Sequence, residues 1–457
     1  MKYTSAVLLG SAASVVSAGA YCADSVQDVL GNYYCPGAVK QIKYDGLDIP
    51  GQYRAVATMD NTGACTYETK TYSGPIAPYD EGLSLHFRGP LHLNNVAVYT
   101  PGTSSKREVA KTVAHAKRHG HQHLHRKHHE HKQERALGDE VVATIDGQVV
   151  SWLNNYAGPT GDATADSAPA ATTSAAASAA TSATSAESAT KASSSASSSS
   201  SSTGSSTGTI TGDFVRNAYY SAADATADGL VFLANVGSPG VSGTWDTVWG
   251  SSLAYVNEDG SSAAASPTVL KDKLLDDSQE IAIFSDSSCD ASCGTTRPDS
   301  VAYKGFEGAS KVFVVEFSMP QSGKTGSNEN MPAFWLLNAA IPRTAQYASC
   351  SCWKGDNESP LQGGCGELDV VEILSPGETR AKSTFHFANG VGDSHYIDRP
   401  VDSPIKVAVV MDSASSTVSI KVLDDFEFPT SLTSDQVQDL VNDETETSLF
   451  SLMSFVA

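Results

Sequence analysis

Glu367-Leu-Asp-Val-Val-Glu372 places three carboxylates in six residues, interleaved with strand-forming aliphatics. In a β-strand alternate side chains share a face, so Glu367 and Asp369 point the same way. Glu372 lies an odd number of positions further on and would face the other side of a regular strand. A β-bulge at Val370-Val371 would add the one residue that turns it back. Leu368, Val370, Val371, Ile373 and Leu374 predict a buried strand, against the plainer reading of an exposed edge with solvated acids. Three acids in a buried strand need a reason. Two carboxyl groups on one face are what retaining glycoside hydrolysis requires, at a separation of about 5–5.5 Å. Asp369 between them is placed to hold a proton or a hydrogen bond and to keep the two glutamates in different ionisation states.

Flanking segments extend the pattern. Met331-Pro-Ala-Phe-Trp-Leu-Leu337 is an aromatic strand in which Phe334 and Trp335 point to opposite faces, so one packs in a core and the other lines a cleft. Trp335 is the candidate sugar platform, with core packing as the alternative. Ser383-Thr-Phe-His386-Phe is a strand that brings a histidine after the acids. Together these resemble the E-x-D-x-x-E signature, the aromatic strand and the His-bearing strand of laminarinase-type enzymes in glycoside hydrolase family 16. That resemblance implies that Glu367 is the nucleophile, Glu372 the acid and then the base, and Asp369 the residue that orients Glu367. It also implies that His386 lines the site. Trp353, Trp245 and Trp249 are further cleft candidates on loops. The chemistry calls for no metal or cofactor, although some members of that family hold a structural calcium.

A chain of 457 residues with a formal charge of −21 is no nucleic-acid binder and fits an extracellular protein. Residues 1–20 read as a secretory signal: Lys2, an apolar core from Ala6 to Val16, and a small-residue cleavage site at Ala18-Gly-Ala20. The core is too short to span a bilayer, and the apolar tail from Leu449 has no spacer or small-residue site before it, so neither a membrane span nor a lipid anchor is expected. Eight cysteines then imply disulfides. Three (Cys22, Cys35, Cys65) precede the middle of the chain and five (Cys289, Cys293, Cys350, Cys352, Cys365) follow it. Both counts are odd, so full pairing demands a bridge between the halves. Zinc on Cys350, Cys352 and Cys365 is the alternative, disfavoured by an oxidising compartment.

Residues 21–100 form a β-rich segment, with strands at Gln41–Tyr44, Tyr53–Ala57, Leu83–Arg88 and Leu91–Tyr99. A basic tract, 101–140, holds eight of the twelve histidines. Its dibasic pairs Lys106-Arg107 and Lys117-Arg118 favour a processing segment over a metal patch, because the histidines keep no ligand spacing. Residues 141–158 read as a short hairpin turned at Asp146-Gly147. The Ser/Ala/Thr-rich stretch 159–208 cannot bury enough surface to fold and reads as a disordered, O-glycosylated linker. Asn357-Glu-Ser359 is an N-glycosylation sequon, weakened by Pro360. Residues 209–457 alternate strand-like runs with turns, and a helical pattern enters only near Ser434–Val441, which predicts a two-sheet, all-β sandwich.

Leu91–Tyr99 alternates like the closing strand of a family 16 jelly roll, while the segment after the acid motif offers no obvious closing strand. If Leu91–Tyr99 fills that place, the two halves form one circularly permuted jelly roll joined through the linker, a sterically cheap rearrangement when termini lie close together. The alternative is a separate N-terminal binding module on a tether. Taken whole, the chain resembles the fungal secreted cell-wall proteins described as probable circularly permuted 1,3-β-glucanases. The match rests on Tyr33-Tyr-Cys35, Leu83–Pro90, Gly229–Leu233, Phe313–Pro320, Met331–Leu337 and the acid motif. The resemblance implies an endo-acting, retaining hydrolase of cell-wall β-1,3-glucan. A glucan transglycosylase and a non-catalytic glucan-binding wall protein are the rival functions.

Overall fold

Strand-forming runs on both sides of the Ser/Ala/Thr-rich stretch hydrogen-bond to one another in the computed structural model. It describes residues 22, 24–28, 30–102, 140–145, 148–153, 212–277, 279–346, 350–353, 364–386, 391–392 and 394–455, with backbone alone for 140–145, 148–153, 391 and 447. The signal segment, the His-dense tract, the linker, the turn at Asp146-Gly147 and the sequon at Asn357 lie outside the described residues. The chain divides into two units, one of residues 1–106 with 203–457 and one of residues 107–202. In the second, Glu140–Ile145 pairs with Gln148–Leu153 as an antiparallel hairpin.

In the first unit the N-terminal segment supplies β1 (Gln41–Asp45), β2 (Gly51–Met59), β3 (Cys65–Tyr72), β4 (Leu83–Arg88) and β5 (Leu91–Pro101). The C-terminal segment supplies β6 (Phe214–Ser221), β7 (Leu230–Ala234), β8 (Glu280–Ser285), β9 (Lys311–Ser318), β10 (Ala333–Asn338), β11 (Glu367–Glu372) and β12 (Arg380–His386). It continues through β13 (Ile405–Asp412), β14 (Thr417–Leu423), α1 (Ser434–Val441) and β15 (Phe450–Ser454). Two large sheets result. One contains the run β7-β8-β4-β10-β11-β12, the other β6-β5-β9-β13-β14-β1-β15, and β2 with β3 forms a separate hairpin.

The two halves are therefore one sandwich. N-terminal β4 is hydrogen-bonded between β8 and β10, and N-terminal β5 between β6 and β9. A bridge between halves, demanded by the odd cysteine counts, is Cys65–Cys350; the others are Cys22–Cys35, Cys289–Cys293 and Cys352–Cys365. Every thiol of the zinc alternative is thus a disulfide sulfur, and a tethered N-terminal module is excluded by strand pairing through the middle of both sheets. One expectation is corrected. The C-terminal segment does end in a sheet strand, β15, which lies parallel to β1 at the sheet edge. Its short alternation Phe450-Ser-Leu-Met-Ser454 is too brief to stand out in sequence.

The core lies between the sheets. Leu85 and Phe87 of β4, Phe334 and Leu336 of β10, and Leu368, Val370 and Val371 of β11 meet Val96 and Val98 of β5 and Phe313, Val315 and Phe317 of β9. Burying each such side chain stabilises by about 1.5–3 kcal/mol. The near-continuous apolar run of β9 has a separate cause. Its second face, with Val312 and Val314, is covered by Val437, Leu440 and Val441 of α1, so that strand is buried on both sides. Helix α1 starts at a capping box in which Thr433 and Gln436 satisfy each other's backbone N–H groups.

Two outcomes test this arrangement. Cleavage anywhere in 103–211 should leave both fragments in one particle, separable on a denaturing gel only after reduction. Phe87 stacks on Phe334 at 5.0 Å, and Phe87→Ala should destabilise the whole sandwich by about 3–5 kcal/mol, read from denaturant unfolding of the C-terminal fragment's signals.

Candidate active site

Strand β11 carries the three acids, and its register shows how they come together. Against β10, Phe334 pairs with Val371 and Trp335 with Asp369, which leaves Val370 unpaired; against β12 the same shift falls between Asp369 and Glu372. This is the bulge at Val370-Val371, and both valines point into the core. Glu367, Asp369 and Glu372 then lie opposite Leu337, Trp335 and Ala333, on the face that turns away from the core. Phe334 and Trp335 divide as expected, Phe334 into the main core and Trp335 onto the acid-bearing face.

Each acid has its own surroundings. Glu367 and Asp369 are 6% exposed and the Glu372 side chain 20%. Glu367 Oε2 accepts a hydrogen bond from the Trp353 indole Nε1. Its backbone carbonyl accepts one from the Tyr79 hydroxyl at 2.7 Å, which also reaches the carbonyl of His386 at 3.2 Å. Gly366 just before it has φ +114°, and a Cβ there would stand 3.1 Å from the Tyr79 ring, so only glycine lets that ring close on the strand. Asp369 Oδ2 pairs with His386 Nε2 at 2.8 Å. Glu372 Oε1 accepts from Arg88 Nη2 at 3.0 Å, while Arg88 Nε donates to the carbonyl of Met331.

These neighbours set the protonation states. Burial, then the negative charge of Asp369, raises the Glu372 pKa to about 7, against an opposing pull from Arg88 and His386. Burial alone would lower His386, but the charge and hydrogen bond of Asp369, with Glu367 and Glu372 behind them, carry it up to about 9. Near neutrality one face thus holds a protonatable carboxylic acid beside a protonated imidazole paired to a carboxylate.

Of the tryptophans named from sequence, Trp335 and Trp353 join the acids, although Trp335 is only 3% exposed. Trp335 is held by the rings of His86 (5.2 Å) and, across its face, by the guanidinium of Arg88 (5.9 Å). Trp249 donates to the carbonyl of Asp60 and packs by Val56 and Met59. Trp245 is 45% exposed and makes no hydrogen bond or ring contact with the acids among the described residues. Arg88, Tyr79 and His86 were missed. All three lie in the N-terminal segment, and only the alternation Ser84-x-His86-x-Arg88 hinted at a polar face.

A family model described as cell wall protein YJL171C/Tos1, C-terminal, matches residues 212–440, and its N-terminal counterpart matches residues 40–101. A protein of Arthroderma benhamiae, named probable circularly permuted 1,3-beta-glucanase, is 38% identical over 98% of both chains. The chain belongs to the cell wall protein YJL171C/Tos1 family. Members named probable circularly permuted 1,3-beta-glucanase TOS1 are 38% identical in Saccharomyces cerevisiae, over 95% of this chain and 96% of that one. In Candida albicans the identity is 36%, over 96% and 97%. No solved structure matches. The two family models cover β1–β5 and β6 through α1, the segments that interleave in the sandwich. The described chain has no helix long and apolar enough to cross a membrane.

Glu372 and His386 bind their protons more tightly folded than unfolded, so both stabilise the fold at low pH. Glu372 loses its contribution as pH rises from its ordinary 4.5 through about 7, and His386 from 6.5 through about 9. Thermal midpoints should therefore fall as pH rises from about 5 to 9. Glu372→Gln should flatten the part below about pH 7, which is worth on the order of 3 kcal/mol, and slightly reduce the part above it, because the Glu372 charge supplies a small share of the upward shift of His386.

Proposed function

We propose that this chain is a retaining glycoside hydrolase acting on cell-wall β-1,3-glucan. The observation that carries the reading is the bulged strand that puts Glu367, Asp369 and Glu372 on one face, with Glu372 poised near neutral pKa. The names of the relatives supply the substrate class.

In this reading Glu367 Oε attacks the anomeric carbon while Glu372 gives its proton to the departing glycosidic oxygen. The bond to the leaving sugar breaks and a glycosyl ester on Glu367 forms. Glu372, now a carboxylate held by Arg88, takes a proton from water, whose oxygen attacks the same carbon and frees Glu367. Trp353 holds the nucleophile's second oxygen. His386 orients Asp369, and the Asp369 charge favours the proton on Glu372. Residues 21–100 and 209–457 act as one catalytic sandwich, residues 1–20 export the chain, 101–140 are a processing tract, and 159–208 are the linker. The protein works in the wall outside the cell.

Purified full-length protein should shorten β-1,3-gluco-oligosaccharides; longer products would mark sugar transfer, and binding without turnover would defeat the enzymatic reading. Glu372→Gln should lower turnover by about 10²–10⁴-fold, and Glu367→Gln should abolish it with the fold intact. Activity should fall as pH rises through about 7, because Glu372 must carry its proton. Arg88→Met should move that limb to higher pH, since Arg88 holds the Glu372 pKa down. Turnover within a few-fold of wild type in either glutamate variant contradicts the assignment.

A further inference from the structure

The hairpin β2–β3 bounds a polar cavity of about 640 Å³, a size usual for a small-molecule site. Tyr53, Ala57, Glu68 and Lys70 line it from the hairpin. The facing walls come from Asp80 and Glu81 before β4, from residues 292–295, from Glu307, and from Asn338 and Arg343 at the end of β10 and beyond. None of Trp335, Glu367, Asp369 and Glu372 lines it. Tyr53 and Cys352 do, and both also pack in the cluster around Trp335. The cavity is therefore a neighbour of the acid-bearing face and no part of it. Glu68 and Glu307 sit at exposed positions, which open it to solvent.

Arg343 is the group that calls for a ligand. It is 7% exposed. Its Nη1 donates to the carbonyl of Tyr303 at 3.3 Å and to Cys289 Sγ at 3.4 Å, and its Nη2 to the carbonyl of Cys293 at 3.1 Å. Among the described residues its Nε is buried without an acceptor, and no carboxylate forms an ion pair with the guanidinium. Burial lowers the Arg343 pKa to about 10 against the charges of Glu307 and Glu81, so the group stays cationic. A buried cation with an idle donor is costly, and an oxygen brought by a ligand would satisfy it. The rest of the lining narrows the ligand. Four carboxylates, of Glu68, Asp80, Glu81 and Glu307, outnumber the two cations Lys70 and Arg343, which turns away an anion. Glu81 is already held by the Tyr53 hydroxyl at 2.9 Å, by Lys70 at 2.7 Å and by Asn338 at 2.9 Å, which leaves a metal ion little purchase on it. What fits is a neutral molecule rich in hydroxyls, giving hydrogen bonds to carboxylates and accepting one from Arg343.

We infer that this cavity is a second sugar site, which holds a short piece of β-1,3-glucan through hydroxyls on Asp80 and Glu307 and an oxygen on Arg343 Nε. The identity of the sugar rests on the hydrolase reading; the site itself rests on the cavity and its unpaired guanidinium. It holds the polymer beside the acids and takes no part in breaking the bond. Both segments of the chain build it, the hairpin with Asp80 and Glu81 from one side of the linker and Glu307 with Arg343 from the other.

Photolabelling separates the two sites. Full-length Glu367→Gln protein is irradiated with a β-1,3-glucotriose carrying a diazirine at its reducing end, and the labelled peptides are mapped by mass spectrometry. Label should appear near the acids and also on peptides covering 292–308 or 338–344, and excess unlabelled trisaccharide should suppress both. Label confined to the neighbourhood of the acids overturns the inference and leaves the hydrolase reading intact. Label at the cavity alone upholds the inference and contradicts the hydrolase reading. No suppressible label anywhere overturns both. Arg343→Met removes the Nε donor and should lower cavity labelling at least about tenfold, with labelling near the acids within about twofold. Glu307→Lys, at an exposed position, removes an acceptor without touching the bonds of Arg343 and should lower it at least about fivefold. It decides the matter if Arg343→Met fails to fold. Undiminished cavity label in Glu307→Lys and in folded Arg343→Met overturns the assignment.

Discussion

One extra residue in one strand governs this site. Without the bulge at Val370-Val371, Glu372 would face the apolar core between the sheets, where an unpaired carboxylate is prohibitively expensive. With it, two consecutive valines face the core and three acids face away. The same apolar contacts that stabilise the sandwich therefore pin the register of the acids. A slip by one residue would invert every side chain of β11, so the register is held by the entire core.

The acids sit on a C-terminal strand, yet much of what tunes them comes from the N-terminal segment. Arg88 of β4 pairs with Glu372, Tyr79 holds the backbone beside Glu367, and Tyr53 of β2 packs against Trp335. Arg88 lies 284 positions from Glu372 along the chain and Tyr79 lies 288 from Glu367. The permuted order of the segments thus reaches the chemistry as well as the architecture. The half that contains β11 lacks the cation that pairs with Glu372, the hydroxyl that holds the backbone beside Glu367, and the hairpin that packs with Trp335.

Much of this was legible in sequence because it depends on local alternation. The bulge follows from an odd spacing of acids among aliphatics, the opposite faces of Phe334 and Trp335 from strand period, and the bridge between halves from two odd cysteine counts. Leu91–Tyr99 as a strand of the same sandwich followed from its clean alternation, whereas its place between two other strands did not. What stayed hidden depends on long-range packing. Nothing local in Gly51–Tyr72 says that this hairpin lies over Trp335, because a two-stranded ribbon with few buried side chains does not name the face it will cover. The pairing of Arg88 with Glu372 requires β4 to stand one strand away from β11, which the chain order does not suggest. Strand β15 was overlooked because five residues of mixed polarity pair in parallel at an edge, where few side chains need burial.

The central claim is that Glu367 becomes covalently bonded to sugar while Glu372 manages the proton. The most direct measurement is to incubate the full-length protein with a 2-deoxy-2-fluoro β-1,3-glucosyl donor carrying a good leaving group, then map the modified peptide by mass spectrometry. The fluorine slows breakdown of the intermediate more than its formation when the leaving group is reactive. The account predicts one added glycosyl unit per chain, ester-linked to Glu367 and discharged when a sugar acceptor is supplied. A label on Glu372, or product released with inverted anomeric configuration and no trapped ester, would contradict it.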